Sequence, residues 1–131
     1  MKQKLCDLAK QARNNAYAPY SSFKVGASLL CGDGSIYTGC NIENSSYSPT
    51  VCAERVAIFK AVSDGKRTFS AIAVCGSPKG ELTEKFCYPC GVCRQVLSEF
   101  CDKDFKIYVM SNGDVKEYTL SDLLPFGFEL N

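Results

Sequence analysis

Nine cysteines and no histidine among 131 residues constrain this chain more than any other feature. The opening stretch MKQKLCDLAKQARNNA reads as an amphipathic helix rather than a signal sequence, so a disulfide framework is not expected. The odd cysteine count agrees with that reading. The cysteines are therefore expected to be thiols, metal ligands or catalytic groups. With no histidine, a transition-metal site must use thiolates or carboxylates, and a proton shuttle must be another residue type.

The length suits one domain over residues 1–131, with a single buried core. A net charge of +1 and a near-neutral isoelectric point lack the basic footprint of a nucleic-acid binder and favour a small or neutral partner. No apolar stretch approaches the ~20 residues needed to span a bilayer. No membrane partner is expected, and the expected location is the cytosol.

Leu5, Leu8, Ala9 and Ala12 recur at helical spacing within residues 2–16. The runs Val25 to Cys31 and Ser35 to Cys40 flank Gly32-Asp33-Gly34, which predicts a hairpin. A second helix is expected from about Cys52 to Val62, with Phe59 among its apolar positions. A short strand, Phe69 to Cys75, should end at Gly76-Ser77-Pro78, and a third helix should run from Pro89 or Cys90 to Phe100. Two more strands, Lys106 to Met110 and Val115 to Thr119, precede a short helix near Ser121 to Leu124. This alternation predicts an α/β layered domain with one mixed sheet.

Cys52-Ala53-Glu54 and Pro89-Cys90-Gly91-Val92-Cys93 carry the chemistry, and each lies at an expected helix start. Free backbone N–H groups and the helix dipole favour thiolates there, so Cys52, Cys90 and Cys93 are candidate ligands for a soft divalent metal. Three protein ligands leave a tetrahedral zinc one open position for water. Glu54 then lies beside that water without having to coordinate, as a proton carrier; zinc deaminases as a class pair such a glutamate with a Pro-Cys-x-x-Cys. Three thiolates also call for positive charge nearby, and Arg55 and Arg94 each directly follow a motif. Either guanidinium is a candidate to hydrogen-bond the sulfurs, and Arg55 is the one assigned that role.

Plainer readings stand beside these. Cys87, Cys90 and Cys93 share the Cys-x-x-Cys-x-x-Cys spacing of iron–sulfur proteins, but Val96-Leu97 stands where a fourth cysteine and a proline would follow. Cys87 is expected to be a free thiol. Four cysteines could also close a structural zinc site, which would give Glu54, Asn41 and Glu43 nothing to do. Cys6, Cys31, Cys40, Cys75 and Cys101 read as small core residues. On pattern alone Asn41 and Glu43 are equally polar residues at a strand exit, Phe23 is equally core, and Phe126 and Phe128 are equally oligomer contacts.

Five ordered motifs resemble the small zinc cytidine deaminases that act on free nucleosides. They are Ala18-Pro19-Tyr20-Ser21 with Phe23-Lys24-Val25-Gly26-Ala27, Gly39-Cys40-Asn41-Ile42-Glu43-Asn44, Cys52-Ala53-Glu54-Arg55, Pro89-Cys90-Gly91-Val92-Cys93-Arg94-Gln95 and Leu124-Pro125. The resemblance implies a three-layer α-β-α sandwich around one mixed, about five-stranded sheet, with one zinc per subunit. It implies that Asn41 and Glu43 hold the ribose 3′-hydroxyl, that Phe23 packs near the nucleoside, and that Ala53 and Glu54 contact the pyrimidine edge. It further implies a homotetramer in which Phe128 reaches a neighbour's site. The loop Tyr47-Ser48-Pro49-Thr50 departs from the commoner pattern, where a glycine and an aliphatic residue precede the threonine.

The activity so implied is hydrolytic deamination of cytidine and deoxycytidine, with Glu54 as base and then acid. A deaminase of a cytosine-containing antibiotic is the enzyme alternative, disfavoured by Asn41-Ile42-Glu43-Asn44. Nucleotide and tRNA deaminases usually place histidine where Cys52 stands. A zinc-braced interaction domain is the non-catalytic alternative.

Overall fold

The computed structural model describes residues 1–78 and 85–127. In chain order the elements are α1 (Lys2–Arg13), β1 (Phe23–Cys31), β2 (Ile36–Cys40), α2 (Ala53–Ser63), β3 (Phe69–Pro78), α3 (Gly91–Phe100), β4 (Lys106–Ser111), β5 (Asp114–Thr119) and α4 (Leu120–Leu123). The strands form one mixed sheet in the order β2-β1-β3-β4-β5, parallel only between β3 and β4. That parallel pair is joined through α3, as a parallel connection requires.

Alternation along β3 builds both cores. Ile72 and Val74 face one side with Ala57, Ile58, Leu97 and Ile107; Ala71, Ala73 and Cys75 face the other with Leu5, Cys6 and Ala9 of α1. The helices therefore cover both faces, giving the expected three layers. Burial of each large aliphatic side chain in this sheet stabilises the fold by roughly 1.5–3 kcal/mol.

Several boundaries differ from the sequence reading. Helix α1 stops at Arg13 rather than continuing towards residue 16, with Asn14 as its C-cap and Asn15 after it, residue types of low helix propensity. Strand β3 runs through Gly76-Ser77-Pro78 instead of ending there: β1 starts earlier, at Phe23, and pairs Phe23, Lys24 and Val25 with Pro78, Ser77 and Gly76. The β4–β5 hairpin closes on two residues, Asn112 (φ 48°) and Gly113 (φ 90°), rather than four, a pair suited to a left-handed two-residue turn. Phe59, one of the apolar positions of α2, is 46% exposed. Among the remaining cysteines Cys6, Cys31 and Cys75 are buried as expected, whereas Cys40 and Cys101 are only half-buried. No helix among the described residues is long and apolar enough to cross a membrane.

Candidate active site

The start of α2 is pressed onto the sheet by a glycine. A Cβ on Gly39 of β2 would lie 2.5 Å from the Ala53 carbonyl oxygen and 2.6 Å from the Ala57 nitrogen, so only glycine permits this approach. Ala53 and Glu54 are consequently buried, and Cys52 caps the helix in extended conformation (φ −78°, ψ 156°). Helix α3 begins in the same way, with Cys90 as cap (φ −68°, ψ 170°) and its sulfur accepting the Cys93 N–H at 3.4 Å.

The two helix starts converge. Cys52 Sγ lies 3.7 Å from Cys90 Sγ, Cys90 Sγ lies 3.4 Å from Cys93 Sγ, and all three sulfurs are within 4.8 Å of one another. Tetrahedral zinc with Zn–S bonds of about 2.3 Å sets its sulfurs about 3.8 Å apart, so the donor set fits that ion. Cys87 is outside the cluster, and burial pushes its thiol up to about 12.

Hydrogen bonding from Cys93, and then from Arg55 and Cys90, outweighs burial and brings the Cys52 thiol down to about 5. Cys93, which donates to that thiolate and is itself buried, is shifted upward. Arg55 sends Nη2 to Cys52 Sγ at 3.5 Å, while its Nε is buried without an acceptor. An orphaned buried donor on a guanidinium that bonds one of the clustered sulfurs also fits a place built for more negative charge than three thiols carry. Glu54 is raised to about 7, chiefly by burial and next by the Cys52 charge. A carboxylate so tuned exchanges a proton near neutral pH.

Arg94, the other guanidinium expected near the sulfurs, does not turn towards them. Its Nε donates to the Pro89 carbonyl at 2.7 Å and its Nη1 to the Leu123 carbonyl at 2.9 Å, because α3 carries it to the side of α4.

Asn41 is locked on β1: its Oδ1 accepts the Val25 N–H at 2.8 Å and its Nδ2 donates to the Phe23 carbonyl at 2.9 Å. Glu43 accepts the Tyr20 and Ser21 N–H groups at 2.9 and 3.1 Å; the Ser21 hydroxyl and these amides hold it below the usual carboxylate range. Glu43 lines a cleft of about 330 Å³ with Tyr20, Ser21, Asn44, Tyr47 and Thr50. Two side-chain-bearing residues at positive φ, Ser22 (58°) and Tyr47 (62°), shape the loops beside it. The Phe23 ring packs over Gly76, where a Cβ would meet it at 2.6 Å and Cys87 at 3.0 Å. Phe128 lies outside the described residues. A larger groove, about 620 Å³, is lined by Tyr37, Val51, Val56 and Phe59 but includes none of the sulfurs.

Residues 1–109 match the family model described as the cytidine and deoxycytidylate deaminase zinc-binding region. The chain belongs to this deaminase family. It is 53% identical over 127 residues to a cytidine deaminase of Sporosarcina psychrophila, covering 96% of this chain and 90% of that one. A crystal structure of cytidine deaminase from Burkholderia pseudomallei superposes with a TM-score of 0.89 at 44% identity, over 98% of this chain and 99% of the other. A blasticidin-S deaminase of Bacillus cereus is 32% identical over 110 residues, 82% of this chain and 78% of that protein. The family likeness agrees with the expectation drawn from the five motifs, and the deaminase sheet is the five-stranded one described above.

Sequence reasoning quoted Gly39 within a motif but gave it no role, although its place before Cys40-Asn41 in a short strand signals close backbone approach. It offered Arg55 and Arg94 alike before assigning Arg55, since both follow a motif by one residue.

Proposed function

We propose that this chain is a zinc-dependent cytidine deaminase, a single domain over residues 1–131. It hydrolyses cytidine and 2′-deoxycytidine to uridine and 2′-deoxyuridine with release of ammonia, in pyrimidine salvage. The observation that carries this reading is a buried carboxyl, Glu54, raised to about 7 beside three converging cysteine sulfurs.

Cys52, Cys90 and Cys93 would hold the zinc, which supplies a Lewis acid that makes water nucleophilic at neutral pH. Glu54 takes a proton from the attacking water and delivers it to ring N3 while the hydroxide adds to C4. The same carboxyl then takes the remaining proton from the C4 hydroxyl and passes it to the amino group, so the C4–N bond breaks, ammonia leaves and the uracil carbonyl remains. Burial of Ala53 and Glu54 keeps competing water from this exchange.

Asn41 and Glu43 bind the ribose 3′-hydroxyl. The bonds of Asn41 to β1 hold its amide rigid, and its carbonyl oxygen keeps a second lone pair. Glu43, held below the usual carboxylate range, remains an ionised acceptor. Phe23 packs beside the nucleoside, and Phe128 reaches a neighbour's site. Arg55 draws charge from the Cys52 thiolate.

The working form is a cytoplasmic homotetramer. Nine free thiols suit a reducing compartment. Phe59 and Val92, 46% and 57% exposed, flank an apolar groove between α2 and α3 that a second copy would cover. A stable, fully active monomer on sizing would overturn the assembly.

The deciding experiment is ammonia release from cytidine by the zinc-loaded protein. Rapid release is expected; none from cytidine but release from blasticidin S would move the substrate to the antibiotic. No release from either would leave a zinc-braced binding domain.

A further inference from the structure

Arg94 has no part in the chemistry above, yet it is half-buried and its guanidinium bonds two backbone carbonyls. Its Nε donates to Pro89 O at 2.7 Å, its Nη1 to Leu123 O at 2.9 Å, and its backbone N–H to Cys90 O at 2.9 Å. The carbonyls of Pro89 and Cys90 belong to the two peptide groups that flank the Cys90 Cα. One residue therefore grips a ligand cysteine from both sides.

Cys90 is the ligand in most need of such a grip. Cys93 is buried and Cys52 half-buried, whereas Cys90 is exposed. It ends residues 86–90, which have no regular secondary structure, and Pro89 within them has no N–H to donate. The buried Pro89 ring and the Cys93 N–H hold the Cys90 sulfur from its own helix start, and Arg94 adds a tie to another element, α4. Arginine suits the task because its planar fork can serve two acceptors in different directions at once, which an ammonium does poorly.

We propose that Arg94 is a positioning residue for the metal site: it fixes the backbone of Cys90 and moors it to the end of α4. The inference rests on the zinc reading above. It makes the last helix a brace for the exposed ligand, so that thiolate geometry depends on a contact far along the chain. Arg94 touches neither substrate nor sulfur, and its effect should appear in how firmly the metal is held.

The test compares zinc-loaded wild type, Arg94→Gln and Arg94→Lys in zinc release to the chelator 4-(2-pyridylazo)resorcinol, and in the thiolate-to-cobalt absorption of the cobalt-substituted proteins. Arg94→Gln should release zinc about 10- to 100-fold faster, the usual effect of losing a group that orients a ligand. Its cobalt band should weaken, its kcat should follow metal content, and its KM for cytidine should stay at the wild-type value. Arg94→Lys, able to hold one carbonyl, should fall between. Wild-type release and an unchanged cobalt band in a folded Arg94→Gln, even one with a lowered Tm, would overturn the proposal. If Arg94→Gln does not fold, wild-type release by Arg94→Lys overturns it equally. A wild type that takes up no zinc would remove the zinc reading and this inference with it.

Discussion

The starts of α2 and α3 are built to the same plan and do different work. Each is capped by a cysteine in extended conformation, and each carries an arginine shortly after the cap, Arg55 or Arg94. At α2 the glycine beneath the helix draws the chain inward, so Glu54 is buried and Arg55 turns to sulfur. At α3 the cap stays exposed and Arg94 turns to backbone carbonyls. Both guanidiniums are half-buried, so what each one meets separates the two: beside a thiolate and a buried carboxyl the charge tunes protonation, and against neutral carbonyls it serves as a fastener.

The largest expected effect would sharpen this contrast at α2. Glu54→Gln at matched zinc content should lower kcat by about 10²- to 10⁴-fold in the ammonia assay, the usual scale of general acid–base catalysis. Residual activity near wild type would remove Glu54 from the proton path. The same residue carries a stability signature in metal-free protein. Because its folded pKa of about 7 lies above the ordinary 4.5, the folded state keeps a proton that the unfolded state releases between these values. Stability therefore falls as pH rises from about 4.5 to 7, by roughly 3 kcal/mol in all. Glu54→Gln removes that slope, so metal-free mutant and wild type compared by urea denaturation should diverge as pH rises, with the mutant the more stable at pH 8. Parallel curves for the two would mean that Glu54 is not desolvated.

Much of this contrast is legible in the order of the amino acids. Spacing points to three thiol ligands and a glutamate, because sulfur donors and helix caps leave short local patterns. Element order points to one mixed sheet, because hydrophobic period and turn residues are local too. What spacing does not carry is depth. Gly39 and α2 meet through backbone atoms distant in sequence, and β3 extends through Gly76 only because Phe23 pairs with Pro78 from another strand. Gly39→Ala tests the depth directly. Its methyl would have to displace the α2 backbone, costing about 1–3 kcal/mol or more in denaturant unfolding. It should also lower the pKa of Glu54 as water reaches it, seen as an acid limb of the kcat profile moved to lower pH. An unchanged limb would show that α2 does not need this seat.

The smallest effect separates the two arginines most cleanly. Arg55 is cationic beside Cys52 and Glu54, and its charge favours ionisation of both. Replacing it by Gln removes that charge, so the proton on Glu54 is held more tightly and the attacking water gives up its own less readily. Both changes act in the same direction: the acid limb of the kcat profile should move to higher pH, with a loss of about tenfold at pH 7, on the scale of one orienting contact to a ligand. Arg94 donates to neutral carbonyls, so its removal should leave that limb in place while zinc escapes faster. If Arg55→Gln instead released zinc faster with an unmoved pH profile, Arg55 would be a fastener like Arg94, and the partner each guanidinium meets would not be what divides the two helix starts.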